Sequence, residues 1–174
     1  MKKTLFILIY FFTQAGFAQN LAPNPSFEIY NNCPTGNSQL INNVPPWDNP
    51  SGSGVTPDYF NACVTGLTGC NNVGVPVNFA GNITAFDGVA YPGIIGYYTS
   101  CPNCREYIQA PLTQALIGGQ KYTLSMRMRL GNESNYAVNK MGMYLSVLPP
   151  PQPGNQPIVG VTPQLEDTAG VGNT

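Results

Sequence analysis

Three groups of residues in this 174-residue chain have the types and spacing to do chemistry: five cysteines, eight carboxylates, and aromatic and amide side chains gathered in Pro/Asn-rich stretches. No histidine occurs anywhere. Ser-His-Asp and Cys-His nucleophilic catalysis, His-ligated zinc and histidine pH switching are therefore excluded.

The cysteines are Cys33, Cys63, Cys70, Cys101 and Cys104. In an oxidising compartment five cysteines make two disulfides and leave one thiol, with fifteen arrangements open to them. Cys33 and Cys63 flank the long loop around Trp47, which favours pairing them. Cys101-Pro-Asn-Cys104 has the spacing of a redox motif, but it lies between strand-like segments rather than opening a helix in a βαβ unit, so a loop staple is the better reading. That pairing leaves Cys70 free. The six-residue gap between Cys63 and Cys70 does not suit a four-thiolate zinc knuckle.

A glycosidase needs two carboxylates at a defined separation. Here Arg105-Glu106 reads as ordinary strand polarity and Glu166-Asp167 as part of a ragged tail, so the chain reads as non-catalytic. The aromatics offer binding instead. Trp47, Tyr59, Tyr91, Tyr97 and Tyr98 stand amid Asp48, Asn49, Asp58 and Asn61, a mixture of flat apolar faces and hydrogen-bonding groups that suits sugar rings. Trp47, inside Pro45-Pro46-Trp47-Asp48-Asn49-Pro50, is in no position to be a central strand, although it could equally plug the edge of a sandwich.

The elements that must position these residues are short strands. Gln120–Leu130 is the clearest, with Tyr122, Leu124, Met126, Met128 and Leu130 alternating against Thr123, Ser125, Arg127 and Arg129, and Gly118-Gly119 supplying the turn before it. Leu124 and Met126 are expected to be central to the core. Lys140–Leu148 alternates likewise, with Met141, Met143, Leu145 and Val147 on one face. Arg105–Leu112, Gly88–Tyr98 and Ser26–Tyr30 are further strand candidates, and Ile158–Val161 a last one. Residues 31–81 read mostly as long connections. Gly (19), Pro (17) and Asn (19) are abundant and only 9% of residues are charged, a composition of turns. The fold class is all-β, an antiparallel sandwich or barrel.

Residues 1–18 read as a secretory signal: Lys2 and Lys3, the apolar run Leu5–Phe12, then Gly16 and Ala18 before a cleavage point ahead of Gln19. Eight apolar residues fall short of the ~20 of a membrane span, and no later segment reaches that length. The mature chain is expected to be secreted or held at the outer membrane or cell surface, without a transmembrane helix. After cleavage, five Lys/Arg face eight Asp/Glu, and all five (Arg105, Lys121, Arg127, Arg129, Lys140) fall between residues 105 and 140. A net-acidic domain with spread cations argues against a nucleic-acid partner. The organisation is 1–18 signal peptide, 19–148 β-sandwich module, and 149–174 a Pro-rich loop or linker plus an incomplete final part.

The segment from Asn20 to Glu28 (NLAPNPSFE) resembles the opening strand of galactose-binding-like β-sandwich modules, carbohydrate-binding families among them. Arg105–Gln109 and Lys121–Ser125, with Leu116 and Gly119, resemble their central strand pair. Pro45-Pro46-Trp47, Pro57–Asn61 and Gly88–Gly93 are similar to a module on exported surface proteins of Gram-negative bacteria, either type IX secreted or carrying an OmpA-like domain. The resemblance covers about residues 21–147. It implies a jelly-roll sandwich truncated before its closing strands, and a surface module that binds carbohydrate or another cell-surface polymer, or mediates adhesion. The alternative is a structural module positioning a peptidoglycan-binding OmpA-like domain, and a glycoside hydrolase fragment ranks behind both. It implies no cofactor except a structural calcium that Glu28 could help to bind, a cation that wants six to eight oxygens.

Overall fold

The computed structural model describes residues 19–50, 57–150 and 154–167. The expected signal segment lies outside these residues. One short strand organises the rest: β1, Asp58–Asn61, is buried along its whole length together with Pro57 before it. Tyr59 and Phe60 point to opposite faces, as successive strand residues must. Tyr59 packs with Leu40, Val44 and Ala90, and around that cluster lie Phe27, Trp47 and Ile108. Phe60 stacks on Tyr91 at 5.0 Å and meets Phe79 at 5.3 Å.

Both edges of β1 are occupied. On one side it pairs antiparallel with β4, Ala90–Gly93, in the register Asp58↔Gly93 to Asn61↔Ala90. A side chain at Gly93 would collide with the Phe60 ring, so glycine is required there. On the other side the Leu40 N–H donates to the Pro57 carbonyl (3.1 Å) and the Asn61 N–H to that of Val73 (3.1 Å). Leu40 opens α1, Leu40–Asn43, a single turn that ends at Val44 and the prolines 45 and 46, which have no N–H to continue a helix. β2 (Val77–Asn78) and β3 (Gly81–Asn82) form a minimal hairpin, and Gly69–Asn71 a 3-10 turn.

Asparagine side chains do much of the work that ladders do elsewhere. Asn24 Oδ1 accepts from Ile29 N–H (3.0 Å) while its Nδ2 donates to the Ile29 carbonyl (2.8 Å). Asn72 bonds Gly74 N–H and the Val77 carbonyl, and Asn78 bonds the Gly74 carbonyl and Ala80 N–H. Such side-chain-to-backbone bonds let irregular backbone be buried. They also explain why residues 31–81, expected to be mostly connections, hold the best-packed part of the molecule. Glu28 adds a staple: its Oε1 accepts from the N–H groups of Val89 (2.8 Å) and Ala90 (2.9 Å), tying the first segment to the start of β4. Gly88 stands against that carboxylate at φ 71°, where a Cβ would overlap it.

The expected main strand is not one. Gln120–Leu130 belongs to no strand or bridge among the described residues. Its alternation survives in burial, with Leu124, Met126 and Leu130 half-buried while Thr123, Ser125, Arg127 and Arg129 are exposed, yet Tyr122 and Met128 are exposed too. Period two places side chains but does not supply a hydrogen-bonding neighbour, so Leu124 and Met126 are not central to the core. Ser26–Tyr30 and Ile158–Val161 likewise form no strand, and Arg105–Leu112 contributes only the Asp48↔Gln109 bridge. Lys140–Leu148 is shorter than expected: β5, Met141–Met143, pairs antiparallel with β6, Leu165–Asp167. The Gln164 side chain extends that ladder by bonding Leu145 N–H and its carbonyl, whereas Val147, expected on the inward face, is fully exposed. Glu166-Asp167 is thus part of a strand and not a ragged tail.

Cys33 and Cys63 are joined with Cα atoms 5.9 Å apart, and Cys101 is joined to Cys104. The Cys70 side chain lies outside the described residues. Among the described residues the regular structure is small antiparallel sheets with very little helix, an all-β chain.

The inverted core has a measurable consequence. Leu40→Ala removes a fully buried side chain and is expected to cost ~2–5 kcal/mol. Leu124→Ala, at a half-buried position, is expected to cost less than half as much, and chemical denaturation of the two variants checks the ranking.

Candidate functional site

Three segments meet in an open cleft of ≈ 240 Å³ lined by Gly96, Tyr97, Arg105, Tyr136, Val138 and Asn139. The chain leaving β4 supplies Gly96 and Tyr97, the end of the Cys101–Cys104 loop supplies Arg105, and the approach to β5 supplies residues 136–139. The first two segments are tied by Glu106 N–H to the Ile95 carbonyl (2.9 Å) and Ile95 N–H to Glu106 Oε2 (2.7 Å). The third comes close because residue 96 is glycine, where a Cβ would press on the Val138 methyls.

Tyr97 and Tyr136, both exposed, set their rings 5.0 Å apart at 59°. Tilted pairs of this kind are a favoured aromatic arrangement that leaves ring faces open. Arg105 Nη1 donates to the carbonyls of Pro102 (2.8 Å) and Cys104 (2.8 Å), fixing the guanidinium beside them. These walls can bind through ring faces, a cation and the Asn139 amide. They contain no carboxylate or thiol that could act as nucleophile or general base.

Of the residues expected to bind a ligand, only Tyr97 lines this cleft. Tyr59 is fully buried, its hydroxyl donating to the Phe27 carbonyl (2.9 Å) and accepting from Asn61 Nδ2 (2.7 Å). Burial and the Glu28 charge push that phenol up to about 12. Asn61, also buried, caps Cys63 N–H through Oδ1 (2.8 Å). Trp47 packs on Phe27 as a tilted pair with ring centroids 4.8 Å apart and donates Nε1–H to the Asn24 carbonyl (3.1 Å), so it plugs the core edge. Tyr91 accepts from Asn78 Nδ2 (2.6 Å) and donates to the Ile83 carbonyl (3.2 Å). Asp58 is buried and accepts from Ser38 N–H (2.6 Å). Asp48 is exposed but turned to Asn49 N–H (2.7 Å), and Tyr98 is exposed outside the cleft walls. The loop aromatics are therefore mostly packing, because Pro-rich irregular backbone is buried here.

The calcium expectation finds no cage. Glu28 commits Oε1 to two backbone N–H groups, Asp87 accepts from Ser26 Oγ (2.8 Å), and no group of three or more acidic or cysteine side chains that could hold a metal occurs among the described residues.

Arg105, Tyr136 and Asn139 of the cleft walls, and the buried Glu106, escaped the sequence reading. Tyr136 sits in an Asn-rich turn with no periodic signal. Glu106, read as strand polarity, is buried, and the correction was available in the alternation, since it shares the face of Ile108 and Ala110. Burial pushes its carboxyl up to about 7; the Ile95 N–H opposes this and the neighbouring Asp58 charge adds to it. Burial raises Asp58 as well, against the Ser38 hydrogen bond.

No protein-family model matches this chain, and neither a curated protein nor a solved structure matches it.

Raised carboxyl values mean the folded state holds more protons than the unfolded chain. Stability from Glu106 is therefore full below its usual 4.5 and is lost as pH rises through about 7. Glu106→Gln is expected to flatten the fall in stability between pH 5 and pH 8 by on the order of 3 kcal/mol. Denaturant melts of both proteins across that range measure it.

Proposed function

We propose that this chain is an exported, non-catalytic β-sandwich module of the galactose-binding-like type, binding carbohydrate at the cell surface through the Tyr97–Tyr136 cleft. The observation that carries this reading is the pair of exposed, tilted tyrosine rings flanked by a guanidinium and an amide. Sugar rings offer flat C–H faces to aromatics and hydroxyls to polar groups. The cleft is smaller than the ~300–1,000 Å³ of sites for drug-sized ligands, which suits one sugar ring at a chain end or along a polymer. Export is supported by the Lys2-Lys3/Leu5–Phe12 pattern and by two disulfides, which persist in oxidising compartments.

The rival reading, a structural module that positions a neighbouring domain, draws on the burial of Trp47, Tyr59 and Tyr91 as packing rather than as binding groups. Placing the site at Tyr97 and Tyr136 separates the two readings, because neither ring belongs to the core cluster.

A polysaccharide array probed with the exported chain is expected to show binding. Tyr97→Ala and Tyr136→Ala should weaken it by at least about tenfold, ~1.4 kcal/mol, with unchanged melting temperature, while Trp47→Ala should lower the melting temperature. Binding to no polysaccharide, or binding insensitive to both tyrosine changes, would overturn this reading in favour of the structural one.

A further inference from the structure

We infer that the cleft selects acidic saccharides, with Arg105 taking the carboxylate of a uronate whose ring lies on Tyr97 and Tyr136. This rests on the carbohydrate reading and narrows its ligand class.

The argument begins with how Arg105 is held. A guanidinium carries five N–H donors in one rigid plane. Nη1 is spent on the carbonyls of Pro102 and Cys104, both at 2.8 Å. The donors left, on Nε and Nη2, form the edge of the fork that matches the two coplanar oxygens of a carboxylate. No carboxylate among the described residues forms an ion pair with Arg105, although Glu106 is next to it in sequence. Glu106 is buried and its Oε2 accepts from Ile95 N–H. The guanidinium is thus oriented by two carbonyls and lines the cleft with no carboxylate of the described residues paired to it.

The surrounding sequence reinforces the sign. Beyond residue 18 every Lys and Arg of the chain falls between positions 105 and 140, a stretch with five cations against Glu106 and Glu133, and Arg105 is the charged residue of the cleft lining. A neutral sugar offers the donors of Arg105 only uncharged hydroxyl oxygens, without the charge-assisted, two-oxygen match of a carboxylate. A uronate would satisfy them while keeping its ring over the tyrosines.

The Cys101–Cys104 loop gains a role from this geometry. The disulfide closes the loop whose Pro102 and Cys104 carbonyls hold Nη1, and Arg105 N–H is anchored in turn on the Asn155 carbonyl (2.8 Å). The staple makes Arg105 a fixed feature of the wall rather than a free surface side chain.

Titration calorimetry of the intact chain with oligogalacturonate, the same oligomer methyl-esterified, and a sulfated galacto-oligosaccharide tests the inference. The acid is expected to bind at least about tenfold tighter than the ester, with an affinity that falls as salt rises while the ester's does not. Arg105→Gln should cost the acid at least about tenfold and the ester far less, and Cys101→Ser/Cys104→Ser should narrow the gap between acid and ester. Equal binding of acid and ester, both abolished by Tyr97→Ala, overturns the inference and leaves the carbohydrate reading standing. A sulfated oligomer that binds as tightly as the uronate overturns the carboxylate assignment. If no saccharide binds here or on the polysaccharide array, both fall.

Discussion

Pro57–Asn61 is buried on both faces and along both edges, so every polar atom it carries must find a partner inside the protein. β4 answers one edge. The other is met by single bonds from Leu40 and to Val73, and by the Ser38 N–H reaching Asp58. The Tyr59 hydroxyl and the Asn61 amide then close on each other and on the Phe27 carbonyl. These partners come from four separate segments: the turn at Phe27, Ser38 and Leu40 at the start of α1, Val73, and β4. Satisfying one short strand therefore fixes the course of the N-terminal turn, α1, the segment around Val73 and the start of β4 together, which is how so Gly- and Pro-rich a chain reaches a defined core.

That constraint also governs the site. The cleft is carried by chain leaving β4, and Ile95 is doubly bonded to Glu106, whose neighbour Ile108 packs on the core. Tyr97 and Arg105 are thus set by two residues that are inside, Ala90 and Ile108, although both line an open surface. Rigid backing under exposed aromatic and cationic groups lowers the entropy lost on binding.

The all-β class was legible from the turn-rich composition and from the alternation around Met141. What could not be read was which strands would find partners. Alternation in 120–130 is real, and the half-burial of Leu124, Met126 and Leu130 reflects it, but periodicity reports on side chains and is silent about neighbouring backbone. Residues 31–81 failed in the opposite direction. Asn72, Asn78 and Asn61 look like turn formers in a sequence, and they are; here the turns are inside, sealed by the same amides. Aromatics in such stretches then pack on the core, as Trp47 and Tyr59 do, while Tyr97, beyond β4, stands exposed at the cleft. Tyr136 could be recognised only once the fold set it against Tyr97.

The Glu28–Gly88 contact carries a further implication. The carboxylate reaches Val89 and Ala90 only because residue 88 has no side chain, and the Gly88 backbone sits at φ 71°, a region other residues rarely adopt. Positions 28 and 88, sixty residues apart, therefore form one heritable unit. Drift at either alone breaks the clasp, and shortening Glu28 to Asp would clear space at 88 without reaching the amides. At this pair a change at one position would have to be matched by a change at the other.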